Sequence, residues 1–466
     1  MLSKEINDPD EFIRFSYIPV ILNKRRYQEN LRSSMVFHPL CRYLRMRIDR
    51  LSKNIQRNAL KHYIPMRQLV SVTPAAESSP CTQMTRRQTV AVLGCGAIGL
   101  LYGSILSRSP ERDVHFLLRG DYDRIMHTGV EIQQHDGNII RLHDRSRFHK
   151  EVGTILPYLR NEKGNDVDGN QYKGVDWILV CLKSPALISE GKKEYNQDIK
   201  SKMTPLVGKN TRIMVMMNGL NTENPFKAWF KDLNIFGVMC FVCANRIQDN
   251  SKTIDKESPL IVKHIAHGNL HIGHVRDDKS ELDFARSLWQ NTWLEDKITT
   301  APSLLSARWS KLFWNLPFNG IAISMGGIST DVIATSPELR DYADKVLNDV
   351  IKLANADLTL QGYDDSLMYK GEKEIEIKRF IWSLTDEMGP YKTSTVLDLI
   401  SNADLEIEFM FRQPYVRLKE VQKETNETFP YLESLLLSVI GFNRALYQGI
   451  VKKNGGKWTS NCLKST

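Results

Sequence analysis

An α/β domain followed by an all-α domain is the architecture this sequence predicts, on three observations. Short β-branched and aliphatic runs alternate with helical patterns from Gln88 onward. Those strand signals stop after about residue 297, and beyond it long segments carry apolar residues at helical spacing. The length of 466 residues exceeds one ordinary core, so two folded domains plus an extension are expected, with no internal repeat.

Taken in order, residues 1–87 do not read as a domain. From Met35 the chain turns basic: Arg42, Arg45, Arg47, Arg50, Lys53, Arg57, Lys61 and Arg67 are opposed only by Asp49 and Glu77. Leu40, Leu44, Ile48 and Leu51 fall at helical spacing among them. An Arg-rich, acid-poor amphipathic stretch that ends in the polar segment Ser71–Thr85 has the character of an organelle transit peptide; a disordered basic tail is the alternative. The first reading implies mitochondrion or plastid, the second the cytoplasm.

Residues 88–297 form the α/β part. Thr89–Leu93, Asp113–Leu118, Trp177–Leu182, Arg212–Met217 and Phe236–Ala244 read as strands, and Ala97–Ser107 as a helix. Trp177–Leu182 is apolar throughout, as a central strand covered on both faces should be. Leu260–Ile265 and Asn269–Ile272 read as a hairpin about Gly268. Asn161–Lys173, rich in Gly, Asn and Asp, reads as a surface insertion. Residues 298–466 form the helical part, with Ser303–Ile323, Pro337–Leu360, Glu372–Asp386, Ser394–Met410 and Tyr431–Val451 as its helices.

Composition excludes several classes. Hydrophobic residues make up 42% and charged residues 25%, the proportions of a soluble globular protein. No apolar run approaches the roughly 20 residues that cross a bilayer, so no membrane partner is expected. The net charge of +9 is concentrated before Gly94, where it points to addressing. Basic residues are not interleaved with aromatics on an expected sheet, so no nucleic-acid partner is expected either. The seven cysteines (Cys41, Cys81, Cys95, Cys181, Cys240, Cys243 and Cys462) are odd in number and irregularly spaced, against a disulfide framework and for a reducing compartment. Cys240 and Cys243 form a CxxC inside the strand-like run Ile235–Ala244 with no second pair, and read as structural. His264, His267, His271 and His274 read as hairpin histidines, with no metal site, and Lys452, Lys453, Lys457 and Lys464 as a solvated tail.

One motif carries chemistry directly. Gly94, Cys95, Gly96, Ala97, Ile98 and Gly99 make a GxGxxG between the strand Thr89–Leu93 and the helix that follows. Gly94 permits the tight turn, Gly96 lets a pyrophosphate approach the backbone, and Gly99 lets the helix pack close to the strand. Free N–H groups at the helix start then face the anion. The first part is therefore a Rossmann-like dinucleotide-binding domain, 88–297, followed by the all-α C-terminal domain, 298–466. NAD-type domains usually carry an acid at the end of the second strand. This chain has Arg119 there, which suits the 2′-phosphate of NADP(H), although Asp121 and Asp123 follow closely. In the helical part, Lys311, Asn315 and Asn319 stack at i, i+4 and i+8 among Trp and Phe, with Pro317 between them.

Together these residues resemble the ketopantoate reductase (2-dehydropantoate 2-reductase) family. The resemblance runs from about residue 88 to 450 in five ordered blocks: Gly94–Gly99 with Arg119; Val180-Cys181-Leu182-Lys183; Met217-Asn218-Gly219-Leu220; the Lys311, Asn315, Asn319 stripe; and Ser394-Thr395-Val396-Leu397-Asp398 with Glu406-Ile407-Glu408. It implies a hydride transfer from NADPH to a 2-oxo acid, with Lys311 as general acid and Glu406 orienting the substrate hydroxyl or Lys311. By the same resemblance Asn315, Asn319 and Ser394 bind the substrate, Ser394 at its carboxylate, while Lys183 and Asn218 belong to the cofactor side. The substrate centre is expected between the two domains. The chain departs from the family pattern at Leu405 and at Phe411-Arg412-Gln413-Pro414. Those departures keep two alternatives open: a reductase of another 2-oxo acid, and a non-catalytic NADP(H)-binding regulator. A homodimer is compatible with the sequence.

Overall fold

The computed structural model describes residues 87–159, 173–189, 192, 194–247, 258–454 and 457–460. The basic stretch Met35–Thr85, the insertion Asn161–Lys173 apart from Lys173, and Cys41, Cys81, Cys462 and Lys464 lie outside them. All the described residues belong to one compact unit, Thr85–Thr466.

The chain enters the sheet at β1 (Gln88–Leu93) and turns into α1 (Ala97–Leu106), which leads to β2 (Arg112–Leu117). The short α2 (Tyr122–Thr128) carries it to the far side of the sheet, where β3 (Val130–Gln133) and β4 (Ile139–Leu142) pair antiparallel. It returns through β5 (Phe148–His149) and α3 (Val152–Leu159). Central strands β6 (Trp177–Val180) and β7 (Arg212–Val215) enclose two helices, α4 (Ser184–Leu187) and α5 (Gln197–Met203). After α6 (Asn224–Trp229) come two long strands, β8 (Asn234–Arg246) and β9 (Leu260–His274), then α7 (Lys279–Ser287) and β10 (Ile298–Thr300). The sheet order is β4-β3-β9-β8-β7-β6-β1-β2-β5, with β10 alongside β9.

Strands β8, β7, β6, β1, β2 and β5 are parallel, and in register Val92 lies beside Phe116 and Leu179. Both faces are apolar because both are covered: Val90, Val92, Trp177 and Leu179 enter one core, Ala91, Leu93, Ile178 and Val180 the other. The expected hairpin about Gly268 does not form. Leu260–His274 is one continuous strand antiparallel to β8. His267 (φ 63°) and Gly268 (φ 132°) take up one irregularity as a bulge opposite Phe241 and Val242, and a second register shift, opposite Cys243 and Ala244, falls at Ile265. His264 Nε2 lies 2.8 Å from the His267 carbonyl within that bulge.

The helical part is built on α8 (Leu304–Ser324), buried along most of its length, with Pro317 accommodated inside it. Around it pack α9 (Thr330–Thr335), α10 (Pro337–Leu360), α11 (Glu372–Met388), α12 (Ser394–Ile400), α13 (Gln413–Thr425) and α14 (Pro430–Tyr447). The expected helix Ser394–Met410 stops early. Asn402 adopts the left-handed conformation (φ 54°) and the Ala403 N–H closes back on the Asp398 carbonyl, which ends α12. The chain resumes in a π-helical turn, Glu408–Arg412, that runs into α13. After α14, β11 (Val451–Asn454) and β12 (Lys457–Ser460) form a two-stranded hairpin, so Lys452, Lys453 and Lys457 lie in strands and the helical part is not purely α.

Candidate active site

The glycine turn separates what the protein needs from what a ligand needs. Gly94 has φ +94°, and a Cβ there would sit 2.7 Å from the Cys181 backbone. At Gly99 a Cβ would sit 2.2 Å from the Gly94 carbonyl oxygen. Both positions are forced by the fold. Gly96 is different: its φ is an ordinary −76°, and a Cβ would meet nothing within 4 Å. Space at Gly96 is therefore open in front of the α1 N-terminus, whose N-cap offers no side-chain oxygen to the first N–H groups. Those features fit a pyrophosphate. Ala97 and Ile98 pack inward against the sheet. Cys95 directs its thiol to the Leu117 carbonyl at 3.3 Å, which ties the turn to the end of β2, and burial pushes that thiol up. Arg119, just past β2, is exposed. Asp121 is engaged by Arg246 of β8 at 2.8 Å.

Two further loops leave the carboxyl edge of the sheet. Lys183 follows β6, and its ammonium pairs with Asp398 of α12. Asn218 follows β7 and is half-buried. Next to it Gly219 has φ +110°, and a Cβ would come within 2.3 Å of the Phe409 backbone. Leu220 N–H donates to the Phe409 carbonyl at 2.8 Å. The Asn218 loop is thus held backbone to backbone against the π-helical turn.

Helix α8 carries the remaining groups on one face. Lys311 donates to the Cys240 carbonyl and lies 4.8 Å from the centre of the Phe241 ring. Burial pulls its pKa down to about 8; the Cys240 and Cys243 thiols oppose that shift and the Arg308 charge adds to it. Asn315 and Asn319 are buried and 3.5 Å apart, and Thr395 donates to the Asn319 carboxamide oxygen at 3.0 Å. Ser394, the first residue of α12, is exposed. Glu406 is buried and accepts the Ser184 N–H at 3.3 Å. Burial raises its pKa to about 7, with Lys183 lowering it and Asp398 raising it.

Helix α12 joins most of these groups. Thr395 reaches Asn319, and three residues later Asp398 reaches Lys183, beside Glu406. Polar contacts thus link Asn315 and Asn319 to α12 at Thr395, and α12 at Asp398 to Lys183 beside Glu406; Lys311 lies one turn before Asn315 on α8 and is held separately by Cys240. The expectation that Glu406 orients Lys311 is not met: Glu406 bonds Ser184 and faces Lys183, while Lys311 bonds Cys240. The cysteine pair reads differently too. Cys240 supplies the carbonyl that holds Lys311, and Cys243 sits in a hydrogen bond with Tyr391 within electrostatic reach of Lys311.

Sequence reasoning assigned no role to Arg308, Thr395, Asp398 or Ser184. Arg308 lies one turn before Lys311 and is buried with Glu223. It donates to Glu223 Oε1 at 3.0 Å, to the Met217 carbonyl at 2.6 Å and to the Val215 carbonyl at 3.2 Å. A signal existed: an arginine among the apolar residues of a core helix has to be paired. Asp398 and Ser184 are marked by orphan atoms, since Asp398 Oδ2 and Ser184 Oγ are buried without a partner.

The family model "Ketopantoate reductase PanE/ApbA" matches residues 90–277, and its C-terminal companion matches residues 303–435. A 2-dehydropantoate 2-reductase from Nostoc sp. is 26% identical over 333 residues, covering 71% of this chain and 89% of that protein. The crystal structure of 2-dehydropantoate 2-reductase from Geobacter metallireducens is 26% identical with a TM-score of 0.59, covering 75% of this chain and 98% of that one. D-mandelate dehydrogenase, solved with NADH and anilino(oxo)acetate, shares the fold at a TM-score of 0.56 and 16% identity, over 77% of this chain and all of that one.

Proposed function

The chain belongs to the ketopantoate reductase family, and on that premise we propose that it reduces 2-dehydropantoate to pantoate with NADPH, a step toward pantothenate and coenzyme A. The observation that carries this reading is the set of polar contacts from Asn315 and Asn319 on the helical part, through Thr395 and Asp398 of α12, to Lys183 and Glu406 at the carboxyl edge of the nucleotide-type sheet, with Lys311 one turn before Asn315 on the same helix.

Reduced nicotinamide, when bound, supplies hydride to the 2-oxo carbon. Lys311 places a proton at the oxygen of that carbonyl. An ammonium held near 8 is mostly protonated at neutral pH, and it yields its proton more readily than an ordinary lysine. The Cys240 carbonyl and the Phe241 ring fix its position. Asn315 and Asn319 hold the substrate from the same helix face, with the Asn319 amide orientation set by Thr395. Ser394 serves the carboxylate. Glu406, committed to Ser184 and Lys183, is left the first of its two expected roles, orientation of the substrate hydroxyl. On the cofactor side stand Gly94–Gly99, Arg119, Lys183 and Asn218; open space at Gly96 suits the pyrophosphate of either nucleotide, and Arg119 in place of an acid directly after β2 favours NADP(H).

The test is purified protein with NADPH, NADH and a panel of 2-oxo acids, followed by loss of nicotinamide absorbance. Turnover of 2-dehydropantoate with NADPH above the other acids supports the reading, and turnover of none of them overturns it. A binding-only regulator is the second reading, favoured by the altered stretch Phe411–Pro414. There Gln413 bonds Glu408 and Asn221, giving this stretch its own packing beside the Asn218 loop. Lys311→Ala separates the two: the enzyme loses turnover and keeps the nucleotide, whereas a regulator has no turnover to lose.

A further inference from the structure

Asp121 is the first acid after the end of β2, two residues past Arg119. Here that carboxylate is already taken: Arg246 Nη2 lies 2.8 Å from Asp121 Oδ1. The two residues come from separate paths that both pass over the carboxyl edge of the sheet. Asp121 begins α2, which crosses from β2 to β3 beyond the far side of β9. Arg246 ends β8, of which only Asn234–Gly237 is paired with β7. The rest of β8 runs beyond β7 in partnership with β9 alone, and its last residue projects over the edge at which ligands bind in such sheets. Cys95 in the glycine turn feels both charges. About a third of each side chain, 34% for Arg246 and 32% for Asp121, remains open to solvent. Arg119 sits two residues before Asp121, exposed and, among the described residues, in no ion pair.

We infer that Arg246 is a second cation for the 2′-phosphate of the nucleotide, held in place by Asp121 and acting together with Arg119. The pairing has two effects of the same sign. It brings a guanidinium to the rim of the nucleotide crevice, where it can make charge-assisted bonds to a phosphate. It also neutralises a carboxylate two residues from Arg119 that would otherwise oppose the phosphate or accept a bare ribose hydroxyl. Asp123, exposed in the first turn of α2, is left as the nearest uncompensated acid. Selectivity for NADP(H) therefore comes from distant segments, and a local motif after β2 shows only half of it. This inference rests on the NADP(H) reading above and names a residue that reading did not use.

The experiment measures dissociation constants of NADPH and NADH for the full-length protein and for Arg246→Gln, Asp121→Asn and the double variant. Loss of one charge-assisted phosphate contact at a half-exposed site corresponds to roughly tenfold in affinity. Arg246→Gln is expected to weaken NADPH about tenfold and to leave NADH within about twofold. Asp121→Asn removes the opposing acid together with the group that holds Arg246, two effects of opposite sign, so NADPH binding should change less than it does in Arg246→Gln, with NADH within about twofold. The double variant should recover part of what Arg246→Gln loses. If instead Arg246→Gln and Asp121→Asn weaken both nucleotides alike, the pair is a strut between β8 and α2 and the inference is overturned. It is overturned equally if Arg246→Gln leaves the NADPH to NADH ratio unchanged. Failure of the unaltered protein to bind either nucleotide is a different result, and it overturns the functional reading itself.

Discussion

Arg308→Met probes the joint between the sheet and the helical part. Arg308 and Glu223 are 3% and 4% exposed, and Gly237 closes over them so tightly that a Cβ there would come 2.1 Å from Glu223 Oε1. The guanidinium is closed off from bulk solvent. Its removal strands the Glu223 carboxylate in the interior, which costs about 3–5 kcal/mol. The Met217 and Val215 carbonyls lose a donor as well, at about 1 kcal/mol each, partly offset by the apolar surface the methionine buries. The variant should therefore lose about 3–5 kcal/mol in urea denaturation followed by tryptophan fluorescence, with the fully buried Trp309 next to the altered residue as a local reporter. Adding Glu223→Leu removes the stranded charge and should restore about 2 kcal/mol or more. A loss below about 1 kcal/mol, or a double variant no more stable than the single one, would refute the account of a closed, charge-paired joint.

Other predictions follow from the same geometry. Lys311→Ala should cut kcat by about 10²–10⁴ while nucleotide affinity stays nearly intact, and kcat/KM for reduction should fall as pH rises through about 8, where the proton donor is lost; a flat profile to pH 10 would point to another acid. Glu406 binds its proton more tightly folded, near 7, than its ordinary 4.5, so its contribution to stability is fully present below about 4.5 and is lost as pH rises through 7. Glu406→Gln should remove that slope and leave the protein about 2 kcal/mol or more stabler than its parent at pH 8, as read from thermal melts at both pH values. Gly96→Ala should leave the melting temperature almost unchanged and weaken NADPH, whereas Gly99→Ala should destabilise by about 1–3 kcal/mol because its Cβ meets the Gly94 carbonyl. Equal destabilisation by the two would show that Gly96 is a packing residue.

What could be read from the amino acids alone was what local pattern decides. Strands β1, β2, β6 and β7 announced themselves because both of their faces are buried, and the glycine turn because its three constraints fall within six residues. The Lys311, Asn315, Asn319 stripe was visible because helical spacing puts the three on one face. Short strands at or next to the sheet edges, such as β3, β4 and β5, carry too few residues to show a period, and only their pairing partners make them strands. Gly268 looked like a turn because glycine permits one; the long antiparallel partnership with β8 turned it into a bulge. Asn402 ended a helix that apolar spacing alone would have continued to Met410. Pairs such as Arg308–Glu223, Lys183–Asp398 and Arg246–Asp121 join residues far apart in the chain, and no local pattern says which residue each one meets.

The contact between Gly219 and Phe409 bears on how this chain can vary. It is made by main-chain atoms on both sides: no Cβ fits at Gly219, and the bond from Leu220 ends on a carbonyl. Such a junction does not depend on which side chains occupy the positions around Phe409. The residues at 405 and 411–414 can therefore vary while the segment that carries Asn218 keeps its path. The same junction tolerates no change in length. One residue inserted between Glu406 and Phe411 would slide the carbonyl out of reach and shift the Asn218 segment with it. Drift in composition is cheap at this point of the molecule, and drift in spacing is not.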